Sequence, residues 1–154
     1  MEFEEFFNQI LSFNFSGIHE NEELFTLEII SKLQNAISEK NADLLEICVI
    51  AISIDGVNNN YIEVLKEALK ANWHYKHEDL VELARDLKDP KFIEILYETA
   101  VMKLEYLTPM DLEPLLRKCV HALMEIDTSE AHDKVNLLAQ KGNENVKIVL
   151  EVYR

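Results

Sequence analysis

Apolar residues recur along most of the chain at the spacing of an amphipathic α-helix. Near the N-terminus they fall three and four residues apart, at Phe3, Phe6, Phe7, Ile10 and Leu11. Positions with this spacing share one face of a helix. The same pattern predicts further helices at about residues 21–38, 60–70, 77–88, 90–102, 111–126, 127–141 and 143–153. Residues 12–20 are predicted to form a loop, so the chain is expected to be all-α.

One segment is apolar on all sides. From Leu44 to Ile54, only Glu46 and Ser53 are not apolar. Periodicity alone does not separate a buried helix from a buried strand in such a run. Its length and the Gly56 that follows it favour a helix. An all-round apolar helix is expected to be central and covered on two sides.

Candidate capping residues predict where several helices begin. They are Asn60 with Glu63, Asp89 before Pro90, Asp111, and Asp127 with Glu130. A helix that starts after Asp111 has Pro114 in its first turn, where the missing N–H costs least. Gly142 after Lys141 predicts the end of the penultimate helix.

The chain also contains an internal repeat. The segment "YIEVLKEAL" from Tyr61 aligns without gaps to "FIEILYETA" from Phe92, at an offset of 31 residues. A looser third copy begins at Ala131. Each copy follows a helix that ends near an aspartate, at Asp55, Asp89 and Asp127. One helix pair cannot bury its apolar face alone, so a repeated helix–turn–helix unit predicts an α-solenoid.

These helix pairs resemble HEAT-like repeats. The segments that carry the resemblance are "WHYKHEDLVELARDLKDPKFIEILYETA" and "ALMEIDTSEAHDKVNLLAQ". The resemblance implies one helical domain with about three antiparallel pairs over residues 42–140. Residues 1–41 and 143–154 would then cap its two ends. Some small bacterial HEAT-like proteins are immunity proteins that neutralise a toxin, and others are adaptors, bilin lyases or DNA glycosylases.

The charge balance narrows the classes of partner. The chain has 15 Lys and Arg against 29 Asp and Glu, a net charge of −14, and neither half is basic. Such a chain repels phosphate backbones and anionic lipid, so binding to nucleic acid or membrane is disfavoured. It has no apolar run of the ~18 residues that a membrane span needs. With no basic leader, and with Cys48 and Cys119 in apolar surroundings, a cytoplasmic location is expected.

Acidic residues recur at equivalent places of the repeat. If the apolar positions face the core, these acidic positions point away from it. Stacked units would then align them in a stripe, which we call the acidic stripe: Glu63, Glu67, Glu94, Glu98 and Asp133. The stripe is either a solvated face or a surface that binds a basic protein.

The other polar clusters have simpler structural interpretations. His74, His77 and Glu78 offer metal-type ligands, but no further ligand is identifiable. The alternative is that Trp73 fills the gap between repeats while Glu78 and Asp79 complement a helix N-terminus. Cys119 and His121 point in different directions on a helix, and His121 would form a surface pair with Glu125. With no phosphate loop or nucleophile elbow, we expect no catalytic residue, metal or cofactor.

The first functional hypothesis is therefore a non-catalytic immunity protein that occludes a cationic, nuclease-like toxin. The alternative is a cytoplasmic adaptor or scaffold. An enzyme or nucleic-acid binder on the same repeats is disfavoured because no surface is expected to be basic. No sequence feature indicates an oligomeric state.

Overall fold

The computed structural model describes residues 4–6, 8 and 22–153. Within this part the protein is all-helical and contains no strand. Its main helices are α1 (Glu22–Glu39), α2 (Ala42–Asp55), α3 (Ile62–Lys70), α4 (His77–Leu87), α5 (Ile93–Val101), α6 (Pro109–Ile126), α7 (Ser129–Gln140) and α8 (Glu144–Val152). Two 3₁₀ turns, Asn59–Tyr61 and Pro90–Phe92, lead into α3 and α5.

The all-round apolar segment is a helix, as predicted. The Asn41 side chain begins α2 by accepting a hydrogen bond from the Leu44 N–H at 3.1 Å. Gly56 ends the helix at φ 92°, in the region that favours glycine. Most of the apolar side chains of α2 are buried, but Ile50 remains 41% exposed. The helix is therefore covered on most of its circumference and open along one line.

The first two repeat copies have the same local structure. In each copy a 3₁₀ turn precedes a nine-residue helix, and an extended residue ends it. Tyr61 and Phe92 are fully buried at equivalent places. The side chains of Asn58 and Asp89 cap the two turns by accepting from the N–H two residues further on. The prediction of Asp89 before Pro90 is confirmed, whereas Asn60 is not the cap of its copy.

Two other predicted helix starts were wrong. Helix α6 begins at Pro109, so Asp111 lies within its first turn and Pro114 lies beyond that turn. The cap of α7 is Thr128, whose hydroxyl accepts from the Ala131 N–H at 3.1 Å. Asp127 instead adopts a left-handed conformation at φ 56°. The predicted end of α7 at Lys141 and Gly142 is confirmed.

Helix contacts follow a regular order. Helix α1 packs against α2, α3 against α4, α5 against α6, and α7 against α8. Contacts also join alternate helices, in the series α1, α3, α5, α7 and the series α2, α4, α6, α8. The predicted pairs at residues 42–55 with 60–70, and 77–88 with 90–102, are not among the closely packed ones. The third predicted pair, α6 with α7, does pack together.

One continuous apolar cluster runs through these helices. It includes the predicted inward positions of α1, at Phe25, Ile29, Leu33 and Ala36. Phe6, from the first predicted helix, is also buried in it. The other apolar residues of that predicted helix, and the predicted loop at 12–20, lie outside the described residues.

Candidate partner-binding surfaces

All five carboxylates of the acidic stripe are exposed to solvent. They lie on α3, α5 and α7, and these helices contact one another in that order. The structure therefore brings the three helices that carry the stripe side by side.

Lysines lie among the stripe carboxylates. Lys66 Nζ is 3.8 Å from Glu63 Oε2, and Lys134 Nζ is 3.1 Å from Glu94 Oε2. Lys134 also lies over the Tyr97 ring, with its Nζ 4.9 Å from the ring centroid. Such exposed ion pairs are weak, but they reduce the local negative potential. The stripe is a mixed-charge surface, which the sequence repeat did not reveal.

A second acidic surface lies between α2 and α4. We call it the α2–α4 groove, and its volume is about 460 Å³. Ten residues line it: Glu46, Val49, Ile50, Ser53 and Ile54 from α2, and Lys76, Asp79, Glu82, Leu83 and Asp86 from α4 or the residue before it. Its floor is apolar and its edges are mostly acidic.

Charge is distributed unevenly along the α2–α4 groove. At one end, Lys76 Nζ lies 3.3 Å from Glu46 and 3.7 Å from Asp79. Toward the other end, Glu82 is 4.0 Å from Arg85. No cation pairs with Asp86 within the described residues. The second end of the groove therefore carries the less compensated negative charge.

The neighbouring contact between α4 and α6 is closed by an ion pair. The Arg85 guanidinium donates to both carboxylate oxygens of Glu125, with Nη2 at 3.3 Å from Oε1. This hydrogen bonding lowers the pKa of Glu125 and raises that of Arg85. The predicted surface pair of His121 with Glu125 was wrong, because His121 Nδ1 lies 2.8 Å from the Tyr153 hydroxyl.

The candidate metal ligands His74 and His77 are fully buried and stacked on each other. Their ring centroids are 4.2 Å apart and their planes differ by 13°. His74 Nε2–H donates to the Ala68 carbonyl at 2.7 Å, and its Nδ1 accepts from the Lys76 N–H at 3.0 Å. Both ring nitrogens of His74 are therefore already used.

His77 is held in the same way. Its Nε2–H donates to the Ala71 carbonyl at 2.6 Å, so in the neutral ring Nδ1 accepts from the Tyr106 hydroxyl at 2.7 Å. Burial lowers the pKa of His74, and burial together with the His74 ring lowers that of His77 to about 4. Within the described residues, no group of three or more His, Cys, Asp or Glu side chains is arranged to hold a metal ion.

Trp73 is only half-buried, although it packs against the core and meets His74 edge-on at 5.3 Å. It therefore contributes to this part of the core without filling a closed gap. Both thiols are buried, and this burial raises the pKa of Cys48 to about 12 and also raises that of Cys119. Thiols with raised pKa values are poor nucleophiles at neutral pH.

Asp55 joins three helical segments through its carboxylate. Its Oδ2 accepts from the Thr26 hydroxyl at 2.6 Å and from the Tyr61 hydroxyl at 2.5 Å. Burial and this hydrogen bond raise the pKa of Tyr61. The cluster connects α1, α2 and the turn before α3, so its role is structural.

Comparisons with known proteins leave the family open. No protein-family model, no curated protein and no solved structure matches the chain. The resemblance to HEAT-like repeats therefore stays a prediction. Within the described residues, none of the helices combines the length and apolar character needed to cross a membrane.

The α2–α4 groove was missed by the sequence reasoning. Its acidic residues on α4, at Asp79, Glu82 and Asp86, follow helical spacing and form one face. The sequence therefore could have predicted this acidic face. It could not have predicted that α2 lies beside the face, because α3 separates α2 from α4 in the sequence.

Proposed function

We propose that the protein is a non-catalytic protein-binding module whose partner is a basic protein. The observation that carries this proposal is the set of exposed carboxylates on the alternate helices α3, α5 and α7 of a chain with net charge −14. A field of one sign attracts an oppositely charged partner over a long range and accelerates association. The acidic stripe is the predicted contact region from the sequence, and it belongs to this proposal.

We also infer that the helices form an α-solenoid of HEAT-like repeats. The contacts between alternate helices support this arrangement, because solenoid units stack on their neighbours. The shared turn-and-helix structure of the two copies at Tyr61 and Phe92 supports it further. In this solenoid the repeat unit pairs α3 with α4 and α5 with α6.

The specific role that we propose is an immunity protein that acts in the cytoplasm and occludes a cationic, nuclease-like toxin. The support is chemical: a nuclease binds phosphate through a basic surface, which an acidic protein can cover. The test begins with the gene immediately upstream. Its product should arrest growth when expressed alone, and co-expression of this protein should restore growth. If the upstream product is harmless or its toxicity persists, the immunity role is wrong and the adaptor role takes its place.

The contribution of the acidic stripe has a separate test. Glu94→Gln with Glu98→Gln keeps size and helix propensity nearly constant while removing two charges. The association rate with the partner should fall at low salt and converge with that of the wild type at high salt. The matched control is Glu113→Gln with Glu144→Gln, two exposed positions on other helices. An unchanged rate at low salt would show that the stripe is only a solvated face.

A further inference from the structure

We propose that the α2–α4 groove is the docking site for a basic amphipathic helix of the partner. This inference rests on the proposed function and deepens it, because it names the segment that binds and the surface that receives it. The stripe and the groove lie on different series of helices. Their contributions are therefore separable by substitution.

The shape of the groove fits a helix side. On α2 the lining residues include Glu46, Val49, Ile50 and Ser53, and on α4 they include Asp79, Glu82, Leu83 and Asp86. Both sets follow i, i+3, i+4 and i+7 spacing, so each helix offers one straight face to the groove.

Ile50 gives the groove an apolar contact point. Ile50 is 41% exposed, and the half-buried Ile54 lies one turn further along. Burying such side chains under a partner removes apolar surface from water, which is favourable. Recognition of an apolar helix face in a groove is a recurrent mode of peptide binding. The apolar floor accounts for the amphipathic character of the proposed segment.

The charge of the groove accounts for the basic character of that segment. Lys76 joins the N-terminal parts of α2 and α4, and both helices line the groove from there toward their C-terminal ends, as far as Ile54 and Asp86. Helix C-termini carry partial negative charge, which adds to that of Glu82 and Asp86. A Lys or Arg of the partner is therefore best accommodated at this end, while Lys76 already compensates the other end.

Two other places among the described residues fit this partner less well. Between α4 and α6, the ion pair of Arg85 with Glu125 already bridges the two helices. A smaller pocket of about 280 Å³ lies between α5, α6 and Asn143. Its charged lining residues are Lys103 and Glu113, which offset each other. The α2–α4 groove combines an apolar floor with four carboxylates and one lysine, and Asp86 has no ion pair within the described residues. Charge complementarity therefore favours this groove over the pocket at Asn143.

The experiment uses a synthetic helix as the probe. The peptide consists of Leu and Lys, with Leu at i, i+3, i+4 and i+7 spacing, and it carries a fluorescent label. Its dissociation rate is measured by stopped-flow anisotropy at about 0.15 M salt, where the Debye length is about 8 Å and distant charges are screened. A second peptide with Glu in place of Lys serves as the probe control.

Two groove variants and one control variant decide the result. Glu82→Gln with Asp86→Asn should accelerate dissociation about fivefold, since two exposed ion pairs between the groove and lysines of the peptide are lost. Ile50→Gln should accelerate it by a similar factor through lost apolar contact. The control variant Glu113→Gln with Glu144→Gln removes the same number of charges outside the groove and the stripe, and it should leave the dissociation rate unchanged. The Glu peptide should not bind.

Several outcomes would overturn the docking site. The groove is wrong if the Lys peptide does not bind, if the control variant Glu113→Gln with Glu144→Gln weakens binding as much as the groove variant, or if Ile50→Gln has no effect. Should a groove variant unfold, methyl NMR of the wild type replaces it, and shifts must appear at Ile50 and Ile54. Failure of the proposed function gives a different result. In that case no natural basic protein would bind this protein, whether or not the synthetic peptide binds the groove.

Discussion

At the scale of single residues, the two buried histidines show how a cluster of metal-type ligands is used for local structure. The Ala68 carbonyl lies in the last turn of α3 and Ala71 follows the helix, where backbone carbonyls have no N–H four residues further on in the helix. The Ala68 carbonyl also accepts from the Ala71 N–H at 3.3 Å. The Nε2–H groups of His74 and His77 donate to these carbonyls. Sequence spacing showed three potential ligands, but it did not show that the ring nitrogens already had partners.

The neutral histidine pair predicts a loss of stability in mild acid. The unfolded chain protonates its histidines near their ordinary pKa of 6.5, whereas the folded pKa of His77 is about 4. The unfolded state therefore binds more protons between these values, and stability falls as pH drops from 6.5 toward 4. His77 alone should account for about 2 kcal/mol between pH 7 and pH 5, and His74 acts in the same direction. Urea unfolding at the two pH values measures this loss.

Two substitutions separate this effect from the titration of carboxylates. His77→Gln removes the titrating group, so the loss of stability between pH 7 and pH 5 should become smaller. His132→Gln is the matched control at a partly exposed histidine, which contacts Asp127 at 2.7 Å. The reduction produced by His77→Gln should exceed any change that the control produces. If His77→Gln keeps the full pH dependence, the buried pair is not its source.

The aspartates that precede each repeat copy show what the repeat alignment cannot predict about single residues. Asp55 accepts from the Tyr61 hydroxyl, Asp89 caps a 3₁₀ turn, and Asp127 contacts His132. The alignment correctly paired Tyr61 with Phe92 as buried positions. It did not predict three roles for the aspartates, because each role depends on a partner that the alignment does not contain.

The buried hydroxyl of Tyr61 leads to a second prediction. Tyr61→Phe keeps the ring in place and removes the hydrogen bond to the Asp55 carboxylate. Hydrogen bonds to charged groups contribute about 1.5–3 kcal/mol, and Thr26 still donates to Asp55 in the variant. We expect a loss of about 2 kcal/mol in the free energy of unfolding. Tyr75→Phe, at a largely exposed ring, should change it little, and equal effects of the two would contradict the role of Tyr61.

At the scale of elements, the apolar pattern predicted the helices well and their starts less well. The segment at α2 was predicted as a helix from its length and from Gly56. The caps before α3 and α7 were displaced by one or two residues, because Asn, Asp and Thr cluster at these turns and several can accept the bond. Two of the three predicted helix pairs were also wrong by one helix, since wide apolar faces do not specify which neighbour a helix packs against.

The cap before α3 can be tested directly. The Asn58 side chain accepts from the Asn60 N–H at 2.9 Å. Asn58→Ala should therefore reduce the free energy of unfolding by about 1 kcal/mol, as measured by urea denaturation. Asn60→Ala replaces the residue that the sequence pattern favoured, and it leaves the Asn60 N–H intact. A larger loss for Asn60→Ala than for Asn58→Ala would reverse the assignment.

At the scale of the whole molecule, the net charge was evident from the sequence, but its distribution was not. The repeat predicted exposed carboxylates along α3, α5 and α7, and these are exposed. Lys134 could not be assigned to Glu94 without knowing that α7 packs beside α5. The α2–α4 groove was likewise not predictable from the sequence, because it is formed by a tertiary contact between two helices. Charge type is thus a property of the sequence, whereas charge compensation is a property of the fold.

The excess of negative charge predicts that salt stabilises the folded protein. Self-repulsion in a chain of net charge −14 opposes compaction. Raising ionic strength from about 0.01 M to about 0.15 M shortens the Debye length from about 30 Å to about 8 Å. We expect a gain of about 1 kcal/mol, or an increase of about 2–4 °C in the unfolding midpoint by calorimetry.

Neutralising Glu67, Glu98 and Asp86 together should reduce this gain in stability, because these exposed carboxylates have no ion pair within the described residues. A midpoint that falls with salt would instead show that the ion pairs, led by Arg85 with Glu125, outweigh the repulsion.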